Sequence, residues 1–264
     1  MRDGENDSCS CGFDSCSEIT NVSDWMKDYS KKAGTKGFVI GLSGGIDSSV
    51  MACLSVKAAG RENVIGVSLP IQTRKDMVID AERLASNLCI KLVTINLEKT
   101  YNETIEAMLQ GGIVINDIVQ ANVKARLRMT ALYGVANSVN YLVAGTGNLS
   151  ELMVGYCTKY GDGGVDVEPI GNYYKAEVYK LAELMPEIPN NVITKAPSAD
   201  LWEGQTDEEE LGMTYDELDE ILKALASGNS SELDKIDIDR IAKVEKMIQS
   251  AKHKNKPPPR YIRN

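Results

Sequence analysis

The sequence predicts an α/β protein with a doubly wound parallel sheet, helices on both faces and a helical C-terminal part. Short apolar runs alternate with longer amphipathic segments over the first 150 residues, the pattern of repeated βαβ units. Two of the runs end in glycine-rich turns, at Gly41 and at Gly145, and sheets of this class bind ligands at the carboxyl ends of their strands. With 264 residues, 43% hydrophobic and 25% charged, the chain can bury a sizeable core in a single domain.

Residues 1–20, polar, acidic and carrying Cys9, Cys11 and Cys16, read as a flexible leader, with one domain over 21–264. The leader does not read as a signal peptide. Asp24 to Lys32 is a short amphipathic helix, and Lys36–Leu42 is a buried strand entering the first glycine turn. Ser48 to Ala59 reads as a helix stopped by Gly60, and Asn63–Leu69 as a second strand closed by Pro70. Lys75–Leu88 is a helix and Ile90–Ile95 a third strand. Helices over Thr100–Leu109 and Asp117–Asn137 lead to a fourth strand, Tyr141–Ala144. Tyr160–Gly164 is a glycine-rich loop and Tyr174–Leu184 a helix. Asn191–Glu210 reads as irregular. Thr214 and Glu217 form a capping box opening a helix that ends near Gly228, and a last helix covers Ile238–Lys252 before a basic, proline-rich tail.

Composition excludes several functions. The net charge of −9 disfavours bulk attraction to nucleic acid or anionic lipid but does not forbid a local anion pocket. No apolar run reaches the ~20 residues of a membrane span, so the expected setting is cytoplasmic. Cys53, Cys89 and Cys157 sit in or beside apolar stretches and read as small core residues. The leader thiols fall one ligand short of a closed zinc site. His253 is the single histidine, so Ser-His-Asp or Cys-His catalysis would have to run through it.

The sharpest local signal is Gly41-Leu42-Ser43-Gly44-Gly45-Ile46-Asp47-Ser48-Ser49, between a strand and a helix. Paired glycines let main-chain amides turn inward, the helix N-terminus adds partial positive charge, and the serine hydroxyls can donate to phosphate oxygens. The loop lacks the lysine of a Walker A sequence and the spacing of a dinucleotide fingerprint. A bare Gly-Gly followed by a capping Asp would be an ordinary turn. The full string S-G-G-x-D-S-S resembles the pyrophosphate-binding loop of the N-type ATP pyrophosphatases, whose fold is of the adenine nucleotide α-hydrolase type. That resemblance implies ATP binding by Gly41, Leu42, Ser43, Gly44, Gly45, Ile46, Asp47 and Ser48, with Asp47 also a ligand of Mg²⁺.

Downstream strings narrow it. In order, NVKARLRM from Asn122, GTGNLSE from Gly145, TKYGDGGVD from Thr158, KAPSADLW from Lys195 and GQTDE from Gly204 are similar to the ammonia-dependent NAD synthetases. The likeness runs from about residue 20 to the end. It implies that the nicotinate carboxylate of deamido-NAD is adenylated by ATP and that ammonia then displaces AMP. It further implies Thr146, Lys175 and Ser198 on ATP, and Glu151 as the second Mg²⁺ carboxylate. Arg126, Lys159, Asp166, His253 and Lys254 would contact deamido-NAD, with Lys159 also catalytic, and Asp162 is the candidate for attracting ammonium and taking its proton. The 159–166 loop is expected to close over the intermediate, and a homodimer is implied. Away from the resemblance, Arg126 could be a solvated helix charge, Glu151 a carboxylate favoured by the helix dipole, and Asp162 a turn residue. Rival readings are a GMP-synthetase-like or tRNA-thiolating enzyme on the same loop, or a nucleotide-binding regulatory module without turnover.

Overall fold

The computed structural model describes residues 13–198, 206–228 and 230–263. Four strands, β1 (Phe38–Gly41), β2 (Val64–Ser68), β3 (Lys91–Thr94) and β4 (Leu142–Val143), form one parallel sheet in the order β3-β2-β1-β4. The register pairs Phe38 with both Val64 and Leu142, and Ile65 with Lys91. The chain steps from β1 outward to β3, then crosses back to place β4 on the other side. The switch point between β1 and β4 is where such sheets open a crevice, and both glycine-rich turns flank it.

Alternation along β1 explains the layers. Phe38 and Ile40 point into one core with α2 (Ile46–Ala59), Met26 of α1 (Ser15–Lys32), and Val178 and Leu181 of α7 (Lys175–Ala182). Val39 points to the opposite core, with Val67, Val143, Tyr101 of α4 (Glu98–Gln110) and Ala136 of α5 (Asp117–Val139). Helix α3 (Lys75–Asn87) joins β2 to β3 and packs with the first core. After β4, α6 (Leu149–Val154) leads into the C-terminal part: α7, α8 (Asn190–Thr194), α9 (Asp207–Leu211), α10 (Tyr215–Ser227), α11 (Ser230–Leu233) and α12 (Ile238–Ala251). A third core, including Leu211, Leu218, Leu222 and Val244, ties this part to Val154 of α6. The doubly wound sheet with a helical C-terminal part is therefore the observed architecture.

Three expectations need correction. Helix α1 starts at Ser15, not Asp24, so the leader ends no later than Asp14; its residues 1–12, with Cys9 and Cys11, lie outside the described residues. Asp14 caps the helix by accepting from Cys16 N and Ser17 N, while Phe13 packs edge-on against Tyr173 at 5.8 Å. A polar composition concealed a start set by a cap and a tertiary contact. The stretch Asn191–Glu210 is not irregular throughout, because α8 and α9 occupy its ends; residues 199–205 are outside the described set. Thr206 accepts from Glu209 N, and the acidic run sits in the first turn of α9, where the helix dipole favours it. Cys89 is exposed, with φ +52°, rather than a core residue, whereas Cys53 is buried. The turn that ends α3 turns its side chain outward.

Candidate active site

A cavity of about 440 Å³ opens at the switch point. Its first wall is the loop after β1. Ser43 Oγ accepts from Gly45 N at 3.2 Å and pairs with Ser48 Oγ at 3.1 Å. The hydroxyls of Ser48 and Ser49 both donate to the Gly45 carbonyl, at 3.0 and 2.8 Å. The loop is thus tied to itself, with Gly45 as the N-cap of α2 and Ile46 and Asp47 in the first helical turn. The loop and the N-terminus of α2 line the cavity, and a helix N-terminus is a place that receives phosphate.

The second wall is the turn after β4. Asn148 closes a capping box on α6: its Oδ1 accepts from Glu151 N at 3.0 Å, and Glu151 Oε2 accepts from Asn148 N at 3.3 Å. Asn148 Nδ2 also donates to Asp47 Oδ1 at 3.0 Å. One residue therefore holds the two carboxylates expected to bind metal, Asp47 through its side-chain amide and Glu151 through its main-chain N–H.

The third wall comes from the C-terminal helices. Lys175, the first residue of α7, is 1% exposed. Its Nζ lies 2.5 Å from Asp47 Oδ2, 3.4 Å from Glu151 Oε1 and 4.8 Å from the centre of the Tyr215 ring. Tyr215 donates to Glu151 Oε1 at 3.3 Å and to Asp207 Oδ2 at 3.1 Å; Tyr156 donates to Asp207 Oδ1 at 3.0 Å and to Glu210. Behind Lys175, Asp219 accepts from Ser150 Oγ and, at 3.0 Å, from Ala176 N, while Ser150 Oγ accepts from Lys175 N at 3.0 Å. Burial drives the electrostatics. It pushes the Glu151 carboxyl up to about 8, against the opposing charge of Lys175 and with help from Asp47 and Asp207. Burial would pull Lys175 down, but Asp47 and Glu151 more than reverse it, so its ammonium stays charged.

Of the expected ATP and metal residues, Gly41, Leu42, Ser43, Gly45, Ile46, Asp47, Ser48, Thr146, Glu151, Lys175 and Ser198 line the cavity, as do Asp162 and Lys254. Gly44, within the same loop, does not line the cavity. Asp162 accepts from Thr158 N at 2.8 Å, and desolvation raises its carboxyl. The segment around it is folded into consecutive turns, with Gly161 N donating to the Thr158 carbonyl and Gly164 N to that of Gly161.

Arg126, Lys159, Asp166 and His253 do not line the cavity. Arg126 reaches the Lys159 carbonyl at 3.3 and 3.4 Å, and Lys159 Nζ donates to the His253 carbonyl at 2.6 Å. This chain of contacts adjoins the cavity rim, where Thr158 Oγ1 donates to Asn122 Oδ1 at 2.9 Å. Lys254 Nζ clamps the carbonyls of Gly155 and Cys157 at 2.6 and 2.7 Å, so the tail folds back on α6. Asp166 is engaged by Tyr133 OH at 3.1 Å and Val143 N at 2.8 Å, which braces the end of the sheet.

Sequence reasoning missed Arg128 and Lys195, both in the cavity wall. Arg128 donates to the Leu69 carbonyl at 3.2 Å and to Thr73 Oγ1 at 3.3 Å. It lies two residues from Arg126, inside the string NVKARLRM; helical phase against the β2 end was the signal that separates them. Asp207 and Tyr215 were missed as well, because nothing local marks a side chain as buried beside a distant charge. No group of three or more His, Cys, Asp or Glu among the described residues is arranged to hold a metal by itself.

The family model described as NAD synthase matches residues 18–258. The NH3-dependent NAD+ synthetase of Methanosarcina mazei is 43% identical over 244 residues, covering 90% of this chain and 94% of that protein. Among solved structures, an NMN synthetase from Francisella tularensis superposes with TM-score 0.86 at 33% identity, covering 95% of this chain and 99% of the other. An NH3-dependent NAD synthetase from Campylobacter jejuni gives TM-score 0.81 at 31% identity, covering 95% and 100%.

Proposed function

The chain belongs to the NAD synthase family, and we propose that it amidates deamido-NAD with ammonia, using ATP as co-substrate. The observation that carries the reading is the placement of a phosphate-receiving loop and two acidic residues, Asp47 and Glu151, across one crevice, joined by the buried Lys175.

On this reading the nicotinate carboxylate oxygen attacks the α-phosphorus of ATP. The new P–O bond forms as the bond to the β-phosphate bridge breaks, and pyrophosphate departs into the loop Gly41–Ser48. Ammonia then attacks the activated carbonyl carbon; the C–N bond forms, the C–O bond to AMP breaks, and Asp162 takes the excess proton. Thr146, Lys175 and Ser198 complete the ATP contacts. Arg126, Lys159, Asp166, His253 and Lys254 serve the deamidated dinucleotide at the rim, with Lys159 beside the reacting carboxylate, and the 159–166 segment shelters the adenylate from water. Asp47 and Glu151 already draw one cation, the Lys175 ammonium, and their hard oxygens fit Mg²⁺, which takes few protein carboxylates and completes its shell with phosphate and water. Bound there, Mg²⁺ would neutralise charge on the departing pyrophosphate.

Exposed Leu109, Ile113, Val114 and Ile118 run from the end of α4 into the start of α5, and Ile118 also lines the cavity. A second copy of the chain covers this face in the proposed homodimer. Val114→Asp should shift light scattering from dimer to monomer; a wild-type monomer would refute the assembly. No helix among the described residues is long and apolar enough to cross a membrane, and the soluble nucleotide substrates fit a cytoplasmic reaction.

The test is NAD formation from deamido-NAD, ATP, Mg²⁺ and an ammonium salt, with AMP and pyrophosphate produced in step. Appearance of ADP, or turnover without the acid, would sink the proposal. The Francisella neighbour favours a second substrate, nicotinate mononucleotide, which belongs in the same assay. A higher kcat/KM for the mononucleotide would reassign the acid and leave the chemistry unchanged.

A further inference from the structure

The apex of the phosphate loop leans on α3. Gly44 has φ +80°, and a Cβ there would lie 2.3 Å from the Met77 carbonyl oxygen and 2.9 Å from its carbon. Loop and helix therefore meet backbone to backbone. One ammonium spans that junction. Lys195 Nζ is 2.6 Å from Asp80 Oδ2 and 3.1 Å from Met77 Sδ on the helix side, and 3.5 Å from the Gly44 carbonyl oxygen on the loop side. Asp80 is buried, does not line the cavity, and accepts from Asn191 Nδ2 at 2.8 Å through its other oxygen. The cluster thus fastens together α3, the loop apex and the chain leaving α8, which goes on to line the cavity at Ser198.

We infer that Lys195, held by Asp80, is a positioning residue for pyrophosphate: it sets the plane of the Gly44–Gly45 peptide. A trans peptide points its C=O and N–H to opposite sides, and no peptide among the described residues is cis. With the Gly44 carbonyl drawn toward Lys195, the Gly45 N–H faces Ser43 Oγ at 3.2 Å, inside the loop. Releasing Lys195 frees that plane to rotate, which turns a carbonyl dipole toward the anion and breaks the concavity of amides that receives it. The effect belongs to the pyrophosphate end of the nucleotide. The inference rests on the reading of this cavity as the ATP site.

Asp80→Asn separates positioning from direct contact. If Lys195 itself gripped phosphate, loss of the Asp80 charge would free its ammonium and leave pyrophosphate binding unchanged or tighter. If it positions the loop, Asp80→Asn and Lys195→Gln must weaken pyrophosphate alike. Pyrophosphate and AMP are titrated separately, with Mg²⁺, into the full chain by calorimetry. Each variant is expected to lose about tenfold in pyrophosphate affinity, with AMP within about twofold of wild type, the scale of one misplaced charge-assisted contact. Lys195→Arg should restore most of the loss, and the double variant should be no weaker than either single one. Unchanged or tighter pyrophosphate binding in Asp80→Asn, or equal weakening of AMP, overturns the inference while the site reading stands. Wild type that binds neither ligand overturns both.

Discussion

The two sides of the cavity are built by opposite means. On the sheet side, the turns after β1 and β4 present main chain: amides, a helix N-terminus and hydroxyls bonded back to the loop. On the helical side, α7, α9 and α10 present charge that is held in burial, with Lys175, Asp207 and Asp219 exposed by 1%, 4% and 2%. The difference is one of vulnerability. A main-chain amide survives any substitution except proline, but a crowded glycine cannot accommodate an unwanted Cβ. A buried ammonium tolerates shape changes poorly suited to a tight turn, yet losing it leaves its partners uncompensated in a medium where charge is costly. In stability, the sheet side should therefore break through sterics and the helical side through electrostatics, while the Lys195–Asp80 pair tunes the loop for its ligand.

The largest effect is expected from Lys175→Met. It removes the cation between Asp47 and Glu151, and stability of the ligand-free protein in urea should fall by about 3–5 kcal/mol at pH 7.5, the cost of orphaning one half of a buried pair. Burial already raises Glu151 to about 8, with Lys175 opposing and Asp47 adding. A carboxyl raised in the folded state contributes stability that is complete below its unfolded value near ~4.3 and is lost as pH rises through the folded value. Without Lys175 that folded value climbs further, so the two proteins should lose stability in parallel from about 5 to about 8, and the deficit of the variant should widen as pH rises above about 8, where Glu151 ionises in wild type. A variant with wild-type stability and a flat profile would erase the contrast between the two sides.

Gly44→Ala probes the other side. The methyl would stand 2.3 Å from the Met77 carbonyl oxygen at a φ of +80°. A destabilisation of about 1–3 kcal/mol is expected, insensitive to pH in the range where Lys175→Met responds. Nucleotide binding should drop with it, and Ser43→Ala, which removes a hydroxyl and adds no bulk, should do less. A pH-dependent loss in Gly44→Ala would mean that the sheet side, too, works through charge.

That same division decides what could be read from the sequence. Gly41 to Ser49 identify the loop because its glycines and hydroxyls stand side by side in the sequence, whereas the Lys195 that reaches the Gly44 carbonyl lies 151 positions away. The strands were legible from apolar runs, and the α10 boundaries from Thr214, Glu217 and Gly228. Lys175 could be placed on ATP only by resemblance, and its grip on Asp47, 128 positions away, had no local signature. Asp207 and Tyr215 carry residue types common on any surface, and only the fold buries them beside Glu151. Lys195 was visible inside KAPSADLW, but its partner Asp80 lies on α3, 115 positions away. The start of α1 was missed for a related reason: Asp14 caps it locally, but the packing of Phe13 on Tyr173 holds it in place.

The smallest effect sharpens the comparison most finely. Tyr215 serves the helical side twice, through its hydroxyl to Glu151 and Asp207 and through its ring, centred 4.8 Å from Lys175 Nζ. Tyr215→Phe keeps the ring and removes the hydroxyl, while Tyr156 still donates to Asp207. If the helical side depends on charge balance, the ammonium and its aromatic face still hold, and the loss should be confined to about 1 kcal/mol of hydrogen bonding, with a few-fold fall in kcat. Tyr215→Leu removes ring and hydroxyl together and should cost measurably more in the same unfolding experiment, because the cation loses its π partner in a desolvated setting. Equal losses in the two variants would assign the whole contribution of Tyr215 to its hydroxyl. The buried positive charge would then be held by the carboxylates alone, and the helical side would reduce to the triangle of Lys175, Asp47 and Glu151.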